Sequence, residues 1–342
     1  MVEMFKKKIY IGYTDIYPDF NPTDNVIYNI LKERYDIEVV DTSIPENNEK
    51  IQYLFYSACG NRYLDFNCIR IFVTGENLVP NFNLCDYALG FEHMEFGDRF
   101  FRLPIYFWKQ YKDDYDLLLS DRIKLAGDEP EKRDFCGIVA TNNTFADPTR
   151  ENFFYALSRY KHVASGGRAY NNIGMPEGVE DKRDFLKNYK FSIAFENSSY
   201  PGYCTEKLMQ AFAAGNVPIY WGDPTAVDQF NEKAYINCCG MTIEEAVEKV
   251  KKVDLNDNLY MEMLREKPLL DDNLREKTEK KLAEWLYGII DKDMEKARRR
   301  PVHGKMAAYE ENYSLIMHRY EKLKSSKILM FGSKCYKWLM KR

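Results

Sequence analysis

Residues 195–224 have the sequence FENSSYPGYCTEKLMQAFAAGNVPIYWGDP. The stretch begins and ends with apolar runs typical of buried strands, and a loop containing Pro and Gly follows the first run. A helix is predicted between the two runs, because Thr205 can cap it and Gly215 can close it in a left-handed conformation. The apolar residues of this helix recur on one face, at Leu208, Met209, Phe212 and Ala213. The stretch therefore predicts a strand, a helix and a second strand.

The same alternation of short apolar runs and amphipathic stretches extends along the whole chain. The predicted strands are KKIYIGYT, IEVVDTS, QYLFYS, IRIFVTG, YALGF, FCGIVATN, HVASGG, FSIAFEN, VPIYWG and AYINCC. The predicted helices are ENFFYALSRY, TEKLMQAFAAG, IEEAVEKVKKV and LREKTEKKLAEWLYGIID. Alternation of this kind is typical of parallel sheets built from βα units, so the predicted class is α/β with two Rossmann-like domains.

The length of 342 residues also favours two domains, because single hydrophobic cores usually stop growing below this size. The polar segment LAGDEPEKRD, residues 125–134, separates two apolar strands and is the predicted linker. We therefore expect one domain over residues 1–128, a second over 129–300, and a C-terminal extension over 301–342.

The composition bears on the partners and location of the protein. A net charge of -4 argues against nucleic-acid binding, which normally requires a basic surface. No apolar run approaches the roughly 20 residues that span a bilayer, and no signal peptide is recognised, so the sequence predicts a cytoplasmic protein. The eight cysteines have no CxxC spacing and are expected to be reduced thiols.

The C-terminal tail differs in charge from the rest of the chain. Seven of the 49 basic residues, and none of the 53 acidic ones, lie between Lys322 and Arg342. Apolar residues recur in this tail at helical spacing. The segment 323–342 is thus predicted to be a basic amphipathic helix, which either contacts the inner face of the membrane peripherally or packs against the body.

Lys207 lies in the first turn of the predicted helix, where a cation opposes the positive end of the helix dipole. A bound diphosphate would relieve this conflict, since helix N-termini and lysines both attract phosphate. A solvated lysine is the alternative, and spacing alone does not separate the two. Neither GxGxxG nor a Walker motif occurs in the chain, so any nucleotide is held by another device.

Two other residues have a possible chemical role. Glu76 follows the strand IRIFVTG, and ligands of open α/β sheets gather at the carboxyl ends of strands. Arg150 begins a predicted helix, and a guanidinium can bind two phosphate oxygens at once. From the sequence alone, a solvated loop glutamate and a surface arginine are the alternatives. The Glu92-His93-Met94-Glu95 cluster lacks HExxH spacing, so no metal ligands are predicted.

Residues 195–224 closely resemble the donor-binding signature of the bacterial α1,3/4-fucosyltransferase family, although Cys204 stands where the family usually has a β-branched aliphatic residue. The segment TGEN, residues 74–77, and FGDRFFRLP further on resemble the same family, and the similarity spans roughly residues 70–260. The resemblance implies a catalytic base at Glu76 and donor-binding residues at Arg150, Asn197, Tyr203, Glu206 and Lys207. It implies supporting roles for Asn77 and, in the glycine-rich turn SGGRAYNNIG, for Arg168 and Asn172.

The family resemblance further implies a GT-B fold in which GDP-fucose binds the second domain and a GlcNAc-containing acceptor binds the first. The expected reaction is an inverting transfer of fucose to O3 or O4 of GlcNAc in a Lewis-type or N-acetyllactosamine glycan. No cofactor or catalytic metal is expected, although a divalent ion could stimulate turnover. A GT-B enzyme using another GDP- or UDP-sugar, and an inactive glycan-binding homologue, remain alternatives.

Overall fold

The computed structural model describes residues 6–141 and 143–325, and within these ranges the chain forms two parallel sheets. The first sheet has six strands in the order β2-β1-β3-β4-β5-β6. Its strands are β1 (Lys8–Thr14), β2 (Asp36–Val40), β3 (Tyr53–Tyr56), β4 (Ile69–Val73), β5 (Tyr87–Gly90) and β6 (Phe100–Arg102). Five of the ten predicted strands overlap β1 to β5, and β6 is an additional short strand.

The second sheet of the described chain has five parallel strands in the order β11-β10-β9-β7-β8. Its strands are β7 (Asp134–Ile138), β8 (Val163–Ser165), β9 (Tyr189–Phe195), β10 (Val217–Trp221) and β11 (Ile236–Asn237). The central strands β9 and β10 are buried along nearly their whole length, which explains their continuous apolar sequences.

Helices connect and cover the strands. Those between the first and last strands are α1 (Val26–Arg34), α2 (Lys112–Leu117), α3 (Arg122–Ala126), α4 (Pro148–Tyr160), α5 (Lys182–Leu186) and α6 (Glu206–Ala213). Those after the last strand are α7 (Ile243–Asp254), α8 (Asp257–Arg265), α9 (Leu274–Ile290), α10 (Met294–Ala297) and α11 (Lys305–Ser325). Helix α6 ends as predicted, with Gly215 at φ +71°.

The chain returns to the first domain near its end. Helix α9 packs on α1, and its residues Leu282, Leu286 and Ile289 share a core with Ile9 and Ile11 of β1. The indole of Trp285 donates a hydrogen bond to the carbonyl oxygen of Asp98 at 2.9 Å. Residues of the segment 274–325 thus pack against the first domain, although the predicted second domain extends to residue 300.

Apolar packing also joins the two halves directly. Helix α2 contacts α6, and the ring of Tyr106 packs edge-on against Phe230 at a centroid separation of 5.6 Å. The predicted linker is part of this ordered structure, because it runs from the end of α3 through a short 3₁₀ turn into β7. The joined halves therefore hold the loops at the ends of β4 and β9 in fixed relation.

Within the described part of the C-terminal extension, helix α11 covers Lys305–Ser325. Most of the predicted membrane-binding segment 323–342 lies outside the described residues. Among the residues that are described, no helix is both long and apolar enough to cross a bilayer. The seven cysteines of the described chain are all free thiols, and Cys238 is buried in the core.

Candidate active site

The loop between β9 and α6 is organised by a buried carboxylate. Glu196 follows β9 and is fully buried. Its carboxylate accepts hydrogen bonds from the backbone N–H of Thr205 at 2.7 Å, the Thr205 hydroxyl at 2.7 Å and the Lys207 ammonium at 2.9 Å. Thr205 is the N-cap residue of α6, as predicted, but its hydroxyl donates to Glu196 and does not bond the backbone of the first turn. Glu196 thereby fixes the start of α6 from outside the helix.

Lys207 is held in the first turn of α6 by two carboxylates. Its ammonium lies 2.9 Å from the Glu196 carboxylate and 3.7 Å from that of Glu206, and it also donates to the Thr205 hydroxyl at 2.9 Å. Burial lowers the pKa of Lys207, but Glu196 and Glu206 more than offset this and raise the pKa above its ordinary value. Its side chain is still 20% exposed, so the cation remains reachable by a ligand.

Glu206 lies between two lysines. Burial raises the pKa of its carboxyl group, but Lys207 and Lys182 outweigh that effect and hold the pKa below its ordinary value. Lys182 belongs to α5 and donates to the side-chain oxygen of Gln210 on α6 at 2.8 Å. Neither Lys182 nor Glu196 was predicted from the sequence, because no local motif marks a lysine that lies 24 positions before Glu206.

Arg150 is buried, so the surface alternative for this residue is wrong. It lies in the first turn of α4. Asp147 caps the N-terminus of this helix, because its side chain accepts a hydrogen bond from the backbone N–H of Thr149 at 2.8 Å. The guanidinium donates to the side-chain oxygens of Asn197 at 2.9 Å and Asn143 at 3.1 Å. Helix α4 thus places Arg150 beside the residue that follows Glu196.

Tyr203 is buried in the same loop. Its ring packs edge-on against Phe91 of the first domain, with centroids 4.9 Å apart. Burial raises the pKa of Tyr203, and the nearby carboxylates of Glu196 and Glu76 raise it further. The tyrosine therefore keeps its proton at neutral pH.

Glu76 lies in a tight turn after β4, and its side chain is exposed. The Thr74 hydroxyl accepts from the backbone N–H of Glu76 at 3.0 Å, and Gly75 packs so closely on Trp108 that a Cβ would lie 3.3 Å from the indole. Glu76 lines a cavity of about 830 Å³ in the first domain. The side-chain N–H of Asn77 donates to the Ser198 hydroxyl at 2.8 Å, which ties this turn to the loop after β9.

The glycine-rich turn after β8 contains the two remaining predicted residues. Asn172 accepts from the backbone N–H of Ser165 at 2.7 Å and donates to the carbonyl oxygen of Val163 at 2.8 Å, so it shapes the turn. Arg168 is exposed. The structure thus brings together Glu76, Asn77, Arg150, Asn197, Tyr203, Glu206 and Lys207, with Asn172 acting within the turn and Arg168 on its surface.

No group of three or more His, Cys, Asp or Glu residues in the described chain is arranged to hold a metal ion. The site contains a carboxylate at the end of a first-domain strand, and a buried arginine and a partly buried lysine at two helix starts of the second domain. Two parallel α/β domains that face each other across such groups define the GT-B class of glycosyltransferases.

The α-(1,3)-fucosyltransferase FucT N-terminal domain matches residues 11–109, and the glycosyltransferase family 10 (fucosyltransferase) C-terminal domain matches residues 130–286. The chain therefore belongs to glycosyltransferase family 10, the fucosyltransferases. It is 34% identical over 278 residues to the Helicobacter pylori α-(1,3)-fucosyltransferase FucT, an alignment covering 72% of this chain. That alignment covers 56% of the H. pylori protein, so this chain spans about half the length of that relative.

The GT-B prediction is confirmed by similarity to solved structures. A crystal structure of an α1,3-fucosyltransferase superposes with a TM-score of 0.73 at 29% identity, covering 86% of this chain and 93% of that one. The structure of an α1,3-fucosyltransferase with GDP-fucose gives a TM-score of 0.68 at 28% identity, covering 84% and 92% of the two chains.

Proposed function

We propose that this chain transfers L-fucose from GDP-fucose, with inversion, to O3 or O4 of GlcNAc in a Lewis-type or N-acetyllactosamine glycan. One observation carries the proposal. The turn bearing Glu76 is hydrogen-bonded, through Asn77 and Ser198, to the loop that leads to Lys207. A carboxylate able to activate an acceptor and a cation able to hold a leaving diphosphate are thus fixed across one cleft.

The donor binds the second domain in this proposal. A lysine ammonium has three N–H donors, and Lys207 uses two of them on Glu196 and Thr205, which leaves one for a phosphate oxygen. Arg150 and the N-terminus of α6 add positive charge for the diphosphate. Glu206 is assigned to the ribose or fucose, while Asn197 orients Arg150 through their 2.9 Å hydrogen bond.

Tyr203 contacts the diphosphate in this assignment, with its hydroxyl as donor. Arg168 and Asn172 support the donor from the glycine-rich turn, where Gly167 lies so close to the segment after β7 that a Cβ would be 2.1 Å from the carbonyl oxygen of Ala140. Only glycine fits there, so the turn packs directly against the backbone of that segment.

The reaction is a single displacement. Glu76 takes the proton from the acceptor hydroxyl as its oxygen forms a bond to C1 of fucose, and the bond from C1 to the phosphate oxygen breaks. GDP leaves with the bonding electron pair, and Arg150 and Lys207 stabilise the charge that develops on it. Because GDP-fucose is a β-linked donor, attack from the opposite face gives an α-linked product. No step calls for a chelated metal, although a divalent ion could still stimulate turnover.

The deciding experiment measures GDP release from GDP-fucose with N-acetyllactosamine for the wild type and Glu76→Gln. A general base typically contributes about 10²–10⁴-fold, so we expect kcat to fall by that factor while GDP affinity, measured by calorimetry, stays the same. Glu95→Gln makes the same change at an exposed glutamate after the neighbouring strand and is expected to retain activity.

Four outcomes would contradict the proposal. Full activity of Glu76→Gln would remove the base assignment. Turnover of GDP-mannose or a UDP-sugar in place of GDP-fucose would favour another nucleotide-sugar transferase, and binding without turnover would favour a glycan-binding homologue. Loss of activity in EDTA would overturn the metal-independent mechanism.

A further inference from the structure

We infer that the 830 Å³ cavity beside Glu76 is an acceptor subsite that selects uncharged sugars over sugars bearing a carboxylate. This inference rests on the proposed function. The cavity has the size typical of small-ligand sites, about 300–1,000 Å³. It lies in the first domain, lined by the segment after β1, the start of α1 and residues 103–113. Glu76 lines the cavity, so a ligand bound there lies beside the proposed base.

One wall of the cavity is an aromatic shelf formed by Tyr17, Phe20 and Trp108. The rings of Tyr17 and Trp108 are nearly parallel, with centroids 6.3 Å apart and an interplanar angle of 16°. Phe20 meets Tyr17 edge-on at 5.8 Å. The nearly parallel rings of Tyr17 and Trp108 suit the apolar C–H face of a pyranose, because aromatic rings offer large, rigid contact surfaces.

The aromatic shelf is tied to the catalytic turn. Trp108 packs directly on Gly75, the neighbour of Glu76. The hydroxyl of Tyr17 donates to the side-chain oxygen of Gln110 at 2.9 Å, which holds the tyrosine ring in place. A sugar lying on the shelf therefore has its hydroxyl edge next to the Glu76 carboxylate.

The charged side chains of the cavity indicate what kind of sugar it accepts. Its lining includes four carboxylates, from Asp19, Asp24, Glu76 and Asp113. Its two lysines are already engaged, since Lys109 pairs with Asp24 and Lys112 pairs with Asp116. A negative excess remains, so an acceptor bearing its own carboxylate meets like charge, while a neutral acceptor does not.

The test compares N-acetyllactosamine with its α2,3-sialylated form, which adds one carboxylate. We expect the kcat/KM of the wild type to be about tenfold or more higher for the neutral acceptor, which is the lower end of the effect of a charged cleft on rates. This preference should become smaller at high salt, because salt screens the charges. Asp19→Asn/Asp113→Asn should narrow that ratio several-fold. The control Asp36→Asn/Asp128→Asn changes two exposed aspartates outside the cavity and should leave the ratio unchanged.

A second comparison tests the aromatic shelf. Tyr17→Ala should raise the KM for N-acetyllactosamine about tenfold while the KM for GDP-fucose stays constant, and Tyr17→Phe should keep most of the wild-type affinity because it keeps the ring. Equal use of the two acceptors by the wild type, an unchanged ratio in the aspartate variant, or an unchanged KM in Tyr17→Ala would each overturn the inference.

The inference and the proposed function can fail separately. Saturation-transfer NMR measures binding of N-acetyllactosamine without any turnover. Binding that Tyr17→Ala abolishes, in a protein that transfers no fucose, would refute the proposed function and retain the subsite. Fucose transfer by the wild type, together with glycan binding that Tyr17→Ala leaves intact, would refute the subsite and retain the proposed function.

Discussion

Glu196 is the residue on which the geometry of the donor side depends. A glutamate placed just after an apolar strand is normally solvated, yet this one is fully buried and accepts three hydrogen bonds. Burial raises its pKa, although Lys207 opposes that effect. The lysine whose charge conflicts with the helix dipole is therefore balanced inside the protein, before any nucleotide binds.

Glu196→Gln should destabilise the fold and loosen Lys207. Glutamine keeps an acceptor for the Thr205 N–H but leaves a partly buried ammonium with less negative charge nearby, so we expect the free energy of unfolding to fall by about 2 kcal/mol. The KM for GDP-fucose should rise while the acceptor KM stays constant. Urea unfolding and steady-state kinetics measure both.

Glu248→Gln serves as the control, because that glutamate is exposed in α7 and pairs with Lys251 at the surface. Its effect should stay within about 0.5 kcal/mol. Wild-type stability and wild-type donor KM in Glu196→Gln would show that Lys207 is held by Glu206 alone.

Among elements, the loop between β9 and α6 has a tight steric constraint at its contact with the first domain. Gly202 adopts φ +93°, and a Cβ at this position would lie 2.3 Å from the carbonyl oxygen of Phe91 in the first domain. Its backbone N–H donates to Asp223 at 2.7 Å, and Arg102 donates to its carbonyl oxygen at 3.2 Å. The loop thus reaches the first domain through a residue without a side chain.

Gly202→Ala should separate that interdomain contact from ordinary backbone strain. Gly240 is a matched control, because it also has a positive φ, +77°, but a Cβ there would have no atom of the described chain within 4 Å. We expect Gly240→Ala to cost about 1 kcal/mol from the left-handed conformation alone, and Gly202→Ala about 3 kcal/mol because the alanine also displaces backbone. Urea unfolding gives both values, and calorimetry should show weaker GDP binding only for Gly202→Ala. Equal losses in the two variants would mean that the loop moves away from Phe91 without cost.

The strands and helices that could be predicted are those whose burial produces a simple pattern of apolar residues in the sequence. Strands β4, β9 and β10 are apolar runs because both faces of a parallel sheet are covered. Strand β6 has three residues and α5 has five, too few to show a period, so neither was predicted. Strand ends and helix starts marked Glu76, Arg150 and Lys207 as candidates, and only the family resemblance gave them predicted roles, whereas Glu196 and Lys182 depend on tertiary packing that no local pattern encodes.

At the scale of the whole molecule, helices α9 to α11 follow the second domain in the chain and pack against the first domain, so they help to hold the two domains together. Asp86 is fully buried beside β5 and accepts from the backbone N–H groups of Arg70 at 2.9 Å, Arg299 at 2.8 Å and Arg300 at 2.8 Å. Arg300 also donates to both carboxylate oxygens of Glu310 at 2.9 Å. One carboxylate therefore joins the first sheet to the segment that leads into α11.

Asp86→Asn should weaken this attachment in a pH-dependent way. Burial raises the pKa of Asp86, but Arg300 and the three N–H groups outweigh it and hold the pKa below its ordinary value. A lowered folded-state pKa means that the carboxylate contributes stability above the unfolded pKa of about 3.9 and that this contribution is lost as the pH falls through the folded-state value. The asparagine places an NH₂ group against backbone donors and leaves Arg300 short of one anion, so we expect a loss of about 3–5 kcal/mol at pH 7. Urea unfolding at pH 7 should show this loss, and the control Asp36→Asn should stay within about 0.5 kcal/mol of wild type. Thermal unfolding over a range of pH should show the stabilities of wild type and Asp86→Asn converging below about pH 4. A constant difference from pH 7 to pH 3 would mean that shape, and not the charge of Asp86, holds the returning segment in place.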